Sequence, residues 1–169
     1  MARLAYSALL WLALPLVLAR LAWRARRQPG YLEHLGERFG AAPRLSGAPV
    51  IWIHAVSVGE TRAAEPLLAR LRQDHPRATI LLTHMTPTGR ATGRELFGDA
   101  VTQSWLPWDH GPFVRRFLGR ARPDFGVLLE TEIWPNLLAE CRARGSPVYL
   151  VNARLSARSA AGYARLASL

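Results

Sequence analysis

Residues 50–60 read VIWIHAVSVGE, and the pattern that indicates the fold class begins here. Residues 50–55 form a short apolar run with the length and composition of a buried strand. The polar residues and glycine that follow indicate a loop, and residues 61–73 then place apolar side chains at helical spacing. A strand, a loop and a helix in this order predict one unit of a parallel α/β sheet.

The same alternation continues along the rest of the chain. Further strands are predicted at 79–83, 101–106, 125–129 and 148–151, and further helices at 90–97, 112–118, 134–144 and 156–169. Repeated right-handed βαβ units build a parallel sheet with helices packed on it. The fold class is therefore α/β, a Rossmann-like domain over residues 50–169. Residues 28–49 are rich in proline and glycine and are predicted to be a connection with a short helix around 32–39.

The N-terminal segment differs in character from the rest of the chain. Residues 4–19 are uncharged and almost wholly apolar, and arginines follow at 20, 24, 26 and 27. A helix of this length rises about 24 Å, slightly less than the ~30 Å hydrocarbon core of a bilayer. Arginines that follow the apolar run argue against a cleaved signal peptide. A core helix of a soluble domain stays open as an alternative, but residues 1–27 favour a membrane anchor or interfacial helix with its arginine end in the cytoplasm.

The net charge indicates an anionic partner, and the cysteine and histidine positions bear on metal sites. The net charge is +10, and all 22 basic residues are arginines, which suit phosphates and carboxylates. Five of those arginines lie within residues 1–27, so a membrane surface is favoured over a nucleic acid as the anionic partner. The single cysteine, Cys141, falls in a helical pattern and is predicted to be a buried thiol. No histidine or cysteine spacing predicts a metal, and no cofactor is expected.

Candidate site residues follow the predicted strands, because ligands of parallel sheets bind at the carboxyl ends of the strands. After four of the strands come Ser57, Gly59 and Glu60; Thr86, Thr88 and Gly89; Glu130 and Glu132; and Asn152, Arg154 and Arg158. Each group also has a purely structural interpretation. Glu60 could be an ordinary helix-start acid, Glu130 a helix cap, and the Thr86 loop a turn with a capping threonine.

Spacing alone leaves the function open. A nucleotide-dependent oxidoreductase or sugar epimerase is disfavoured because the glycine-rich fingerprint is missing. A non-catalytic module that binds anionic lipid through its arginines remains an alternative. The residues by themselves indicate a membrane-associated α/β domain with an acidic cleft and basic surroundings.

The order of several motifs adds to this interpretation. WIHAVSVGE at 52–60, MTPTG at 85–89, ETEIWPN at 130–136 and NARLSARS at 152–159 resemble successive signatures of the Kdo (3-deoxy-D-manno-octulosonic acid) transferase family. GER at 36–38 and LPWD at 106–109 resemble it too. Each motif alone is weak, but together they extend over the whole chain in order.

The resemblance implies a GT-B glycosyltransferase, in which two Rossmann-like domains face each other across a cleft. This chain would be the N-terminal, acceptor-binding domain, and the domain that binds the donor CMP-Kdo would be absent, so the chain alone is expected not to transfer Kdo. The acceptor would be a lipid A precursor at the cytoplasmic face of the inner membrane. Glu60 would be the general base, Glu130 would support the transition state, and the other candidate residues would bind substrate.

Overall fold

Five parallel strands form the centre of the structure, a computed structural model that describes residues 1–130 and 132–153. The strands are β1 (Val50–His54), β2 (Thr79–His84), β3 (Thr102–Trp105), β4 (Phe125–Leu129) and β5 (Val148–Val151). Their order across the sheet is β3-β2-β1-β4-β5, so the chain starts in the middle and builds outward on both sides. The predicted parallel α/β sheet is confirmed.

Helices precede and connect these strands. They are α1 (Ala2–Ala25), α2 (Leu35–Arg38), α3 (Val58–Ala63), α4 (Glu65–Asp74), α5 (Pro87–Phe97), α6 (Gly111–Ala121) and α7 (Pro135–Arg144), with short 3-10 turns at Pro29–Tyr31 and Gly98–Ala100. The single helix predicted over 61–73 is two helices that meet at Ala64. Pro66 has no N–H for the carbonyl four residues earlier, so the first helix ends there. The helix predicted at 156–169 lies outside the described residues.

Two apolar layers hold the helices against the sheet. On one face, Trp52 packs with Phe117 and Leu137, from α6 and α7. On the other face, Ile51 and Ile53 pack with Leu68 of α4 and with Ala64 at the junction of α3 and α4. Both faces of the central strand are covered, which explains why β1 is apolar from Val50 to Ile53.

The apolar N-terminal helix packs along the domain. Leu21 and Ala25 are buried in a cluster with Tyr31 and Trp108. Towards its other end, the Tyr6 hydroxyl donates to Asp109 at 2.9 Å. The Ser7 hydroxyl donates to Asn136 Oδ1 at 3.1 Å, and the Trp11 ring contacts His110 edge-on. α1 is thus docked near both of its ends.

The opposite face of α1 is exposed and apolar. Leu4, Leu9, Leu12 and Leu16 are between 66% and 79% exposed. By length and composition, α1 is long and apolar enough to cross a membrane, although a signal sequence or a buried core helix can pass the same test. The helix therefore has one face bound to the domain and one face without a protein partner among the described residues.

The predicted connection at 28–49 contributes to the core. Glu37 and Arg38 are buried. Glu37 accepts from Arg90 Nη1 at 2.7 Å and from the backbone N–H of Trp105 at 2.8 Å. This segment joins α1 to the carboxyl edge of β2 and β3, which is the side of the sheet where ligands are expected.

Candidate functional site

The candidate site lies where the direction of strand addition reverses, between β1 and β4. Crevices at such points, at the carboxyl ends of the strands, are the usual binding places in open α/β sheets. Glu60 follows β1, and Glu130 and Glu132 follow β4. Burial raises the pKa of the Glu132 carboxyl, and the nearby charges of Glu60 and Glu130 raise it further. The fold thus brings three carboxylates from two separate loops close together.

Glu60 is fixed by the loop that carries it. Its carboxylate accepts from the backbone N–H of Val56 at 2.7 Å and from the Ser57 hydroxyl at 2.9 Å. Ser57 begins α3 and in return accepts the N–H of Glu60. This reciprocal arrangement is close to a capping box, so the helix-start role weighed from the sequence is present. The same contacts also hold the carboxylate in one orientation, with 7% of the residue exposed.

The loop after β2 supports the loop of Glu60. Thr86 begins α5, accepts the N–H of Gly89 at 3.1 Å and donates its hydroxyl to the carbonyl of Val56 at 3.0 Å. Gly89 is buried, and a Cβ there would lie 2.9 Å from that same carbonyl oxygen. The capping threonine predicted as the alternative is therefore observed, and it also links the two loops. Thr88 is exposed and lines a separate cavity of about 250 Å³ with Arg90 and Arg94.

The remaining candidates lie after β4 and β5. Glu130 is half-buried and has a φ of +63°, a left-handed conformation that is uncommon for a residue with a side chain. Glu132 accepts from the indole N–H of Trp134 at 2.8 Å. Asn152 is exposed and also left-handed, with a φ of +53°. Gly59 is exposed beside Glu60, whereas Arg154 and Arg158 lie outside the described residues.

Asp109, which follows β3, was not predicted as a site residue. Its carboxylate accepts from the backbone N–H groups of Asn136 and Leu137 at 2.9 and 2.7 Å, and from Tyr6. Burial raises the pKa of this carboxyl, while the hydrogen bonds act in the opposite direction. Asp109 therefore joins α1, the β3 loop and the start of α7. The LPWD motif at 106–109 was the available sequence signal.

A second group that sequence reasoning missed lines a cavity of about 350 Å³ between α1 and the carboxyl edge of the sheet. Arg20 and Arg24 come from α1, and Arg38 comes from α2. Val56 and Thr86 line the cavity from the Glu60 side, and none of its lining residues is acidic. The GER stretch at 36–38 was the available sequence signal for Arg38, but only the fold shows that this arginine lines a cavity with Arg20 and Arg24.

The buried histidines and the cysteine belong to the core. Burial lowers the pKa of His54 to about 3 and that of His84 to about 4, so both are neutral at physiological pH. Cys141 is buried as expected, and burial raises its pKa to about 11. Within the described residues, no three histidine, cysteine, aspartate or glutamate side chains are grouped as metal ligands.

Comparisons with known proteins agree with one another. The family model described as 3-deoxy-D-manno-octulosonic-acid transferase (kdotransferase) matches residues 33–169. The 3-deoxy-D-manno-octulosonic acid transferase of Bordetella pertussis is 50% identical over 157 residues, which cover 84% of this chain and 36% of that protein.

Two more relatives extend the comparison. The Haemophilus influenzae protein of the same name is 40% identical over 166 residues, covering 97% of this chain and 39% of the relative. A probable mitochondrial 3-deoxy-D-manno-octulosonic acid transferase of Arabidopsis thaliana is 33% identical over 156 residues, covering 91% of this chain and 35% of the relative. The chain thus spans a little over a third of the length of the curated relatives it matches.

Proposed function

The chain belongs to the 3-deoxy-D-manno-octulosonic acid (Kdo) transferase family, and on that premise we propose that it provides the acceptor-binding half of a Kdo transferase. The enzyme transfers Kdo from CMP-Kdo to a lipid A precursor, lipid IVA, in lipopolysaccharide core biosynthesis. The donor binds mainly to a second domain of a GT-B enzyme, outside these 169 residues. The coverage of the relatives, 36% and 39% for the first two, supports this division.

Glu60 is the general base in this proposal. A glucosamine hydroxyl of the acceptor attacks the anomeric carbon of Kdo from the side opposite CMP, so the anomeric configuration inverts. The bond from that carbon to the CMP phosphate oxygen breaks, and CMP leaves with the electron pair. The hydroxyl proton passes to the Glu60 carboxylate. The observation that carries the proposal is this carboxylate at the strand-switch edge, oriented by Val56 and Ser57.

The neighbouring carboxylates stabilise the charge that develops on the sugar. As the bond to CMP lengthens, the anomeric carbon acquires oxocarbenium character, and a nearby carboxylate opposes that positive charge. Glu130 takes this role in the proposal, which is supported by its position in a left-handed turn directly after β4. In this proposal the acceptor is contacted by the remaining candidate residues, which are Ser57, Gly59, Thr86, Thr88, Gly89, Glu132, Asn152, Arg154 and Arg158; Arg154 and Arg158 lie outside the described residues.

The proposed location is the cytoplasmic side of the inner membrane. Exposed leucines on one face of α1 enter the apolar boundary of the bilayer, and the arginines that follow meet anionic headgroups. The helix lies along the membrane surface, because spanning it would break the contacts of Tyr6 and Ser7 with the domain or draw the domain into the bilayer. This arrangement brings the carboxyl edge of the sheet close to a lipid acceptor.

A chimaera tests the transfer. Residues 1–169 replace the matching N-terminal part of the Bordetella pertussis relative, and the purified protein receives CMP-Kdo and lipid IVA. We expect Kdo transfer by the chimaera and none by the 169-residue chain alone. A chimaera that folds but transfers no Kdo would contradict the proposed function, and turnover by the isolated chain would contradict the division between acceptor and donor halves.

Vesicle flotation tests the membrane contact. Leu12→Gln and Leu16→Gln together remove apolar surface from the exposed face of α1 without touching its docked face, so membrane binding should fall while thermal stability stays unchanged. Leu150→Gln is the matched control, because Leu150 is 42% exposed on β5 and lies outside α1. Equal flotation of the control and the double variant would mean that α1 is not the contact surface.

A further inference from the structure

The cavity beneath α1 contains a buried cation that lacks a full set of partners. Arg38 is 2% exposed, and its side chain makes one long hydrogen bond, from Nη2 to the Met85 carbonyl at 3.4 Å. Its Nε has no hydrogen-bond partner among residues 1–130 and 132–153. The guanidinium stacks 4.2 Å from the centre of the Trp105 ring, which offsets part of the cost of burial.

Neighbouring charges leave this region positive. Arg90, another buried arginine, pairs with Glu37 at 2.7 Å. Glu37 also accepts from the N–H of Trp105 and makes no ion pair with Arg38 among the described residues. The buried arginines Arg38 and Arg90 and the single buried carboxylate Glu37 therefore leave a net charge of +1. Burying an unpaired charge is costly unless something compensates for it. The structure tolerates that cost at Arg38, at the wall of a cavity.

The cavity adds two more cations. Arg20 and Arg24 reach it from α1, and the Arg24 guanidinium lies 4.8 Å from the centre of the Tyr31 ring. Thr86 also lines the cavity, but its hydroxyl already donates to the Val56 carbonyl, so the arginines provide the donors for an anion. Three arginines with no acidic lining residue match an anion with several acceptor oxygens, since guanidinium groups bind phosphate through parallel N–H···O bonds.

We propose that this cavity binds a phosphate group, held jointly by Arg38 of the domain and by Arg24 and Arg20 of α1. Val56 lines the cavity and also donates to Glu60, so the bound phosphate would lie next to the loop of the proposed base. On the proposed function, which this step assumes, the phosphate belongs to the lipid acceptor. The N-terminal helix then forms one wall of the acceptor site as well as attaching the protein to the membrane.

Binding of inorganic phosphate to the 169-residue chain in detergent, measured by calorimetry, tests the site without any transfer reaction. Arg24→Gln and Arg38→Met should each weaken binding about tenfold, the loss expected for one charge-assisted contact. Arg26→Gln is the matched control, because it removes the same charge from the exposed end of α1 outside the cavity. Arg38→Met should also melt no lower than the unmodified chain, because it removes an unpaired buried charge.

Vesicles distinguish a free phosphate from a lipid headgroup. Phosphatidylcholine vesicles are prepared with phosphatidic acid, a phosphomonoester, or with phosphatidylglycerol, a phosphodiester, at matched surface charge. If the site takes a lipid phosphate, the chain should prefer the phosphatidic acid vesicles, and Arg24→Gln should abolish that preference. If the site takes only free phosphate, Arg24→Gln and Arg38→Met should still weaken phosphate binding in calorimetry, but the chain should show no preference between the two kinds of vesicle.

Two results would overturn the site. One is an equal loss of phosphate binding in Arg24→Gln and Arg26→Gln, which would mean that only surface charge attracts the anion. The other is no binding to inorganic phosphate together with no preference between the two vesicles. Neither result bears on Kdo transfer by the chimaera, so failure of the phosphate site and failure of the proposed function are distinguishable.

Discussion

Asp109 and Glu60 are buried carboxylates at the same edge of the sheet, but their roles differ. Asp109 accepts three hydrogen bonds, from the start of α7 and from α1, and is 2% exposed. Glu60 accepts two, both from groups within its own loop, and is 7% exposed. A carboxylate has about four acceptor positions, so Asp109 keeps about one free and Glu60 about two.

The difference distinguishes a residue that connects elements of the fold, Asp109, from a candidate general base, Glu60. Asp109 connects three elements that are distant in sequence, so its loss should be seen in folding. Glu60 contacts one loop, keeps free acceptor positions and lies near two other carboxylates. Its loss should therefore lower turnover. Four substitutions test that contrast.

Glu60→Gln in the chimaera should lower turnover by about 10²–10⁴-fold, because the amide keeps the size of the side chain but cannot take the proton. The free energy of unfolding should fall by only about 0.3–1 kcal/mol, because the start of α3 is less well stabilised. Glu65→Gln is the control, since it makes the same change in the first turn of α4. Near-normal turnover with a lowered melting temperature would make Glu60 a helix-start residue and Glu130 the next candidate base.

Asp109→Ala should lower the free energy of unfolding by roughly 3 kcal/mol, because two buried backbone N–H groups and the Tyr6 hydroxyl lose their acceptor. Chemical denaturation of the 169-residue chain measures this change. Asp74→Ala, at the exposed Arg70–Asp74 pair, should change stability by less than about 1 kcal/mol. Equal effects of the two substitutions would contradict the claim that Asp109 stabilises the fold by connecting its elements.

Gly89→Ala should lower the free energy of unfolding by about 1–3 kcal/mol, because the new methyl group meets the Val56 carbonyl at 2.9 Å. Since Val56 also orients Glu60, turnover of the chimaera should fall as well. Gly119→Ala on α6 meets nothing closer than 3.5 Å, so it should leave turnover unchanged and should not lower stability; the better helix propensity of alanine should raise it by up to about 1 kcal/mol. Normal turnover in a destabilised Gly89→Ala variant would mean that the two loops are not coupled.

Tyr6→Phe should have the smallest effect, about 1 kcal/mol of stability, because it removes one hydrogen bond to Asp109 and keeps the ring. Thermal melts alongside Tyr149→Phe, whose side chain is on the exposed edge strand, provide the comparison. In an Asp109→Ala background, Tyr6→Phe should cost almost nothing further. An additive loss in the double variant would show that Tyr6 acts independently of Asp109.

The sequence predicted local structure better than tertiary contacts. The strands at 125–129 and 148–151 were placed at their observed bounds, because short apolar runs there end at clear turn signals. The division between α3 and α4 was missed because the apolar side chains keep helical spacing from residue 64 to residue 71, and the break indicated by Pro66 was not used. Glu60, Glu130 and Glu132 were predicted from their positions after strands, and the fold brings them together.

Partners that are distant in sequence could not be predicted. Glu37 and Arg90 are 53 residues apart, and Asp109 and Tyr6 are 103 apart, so no local pattern relates them. The apolar pattern of α1 predicted a membrane-type helix but not the face on which it docks. Burial of Arg38 follows only from how α1, α2 and the strand loops pack together.

The pH dependence of kcat/KM for Kdo transfer by the chimaera tests the assignment of Glu60 most directly. A general base must be deprotonated, so kcat/KM of the unmodified protein should fall on the acid side as that base takes up a proton. Glu60→Gln should lose this acid limb and keep a low, flat residual rate, whereas Glu132→Gln should retain the limb. An unchanged acid limb in Glu60→Gln would contradict the account, because the proton would then be taken by another group.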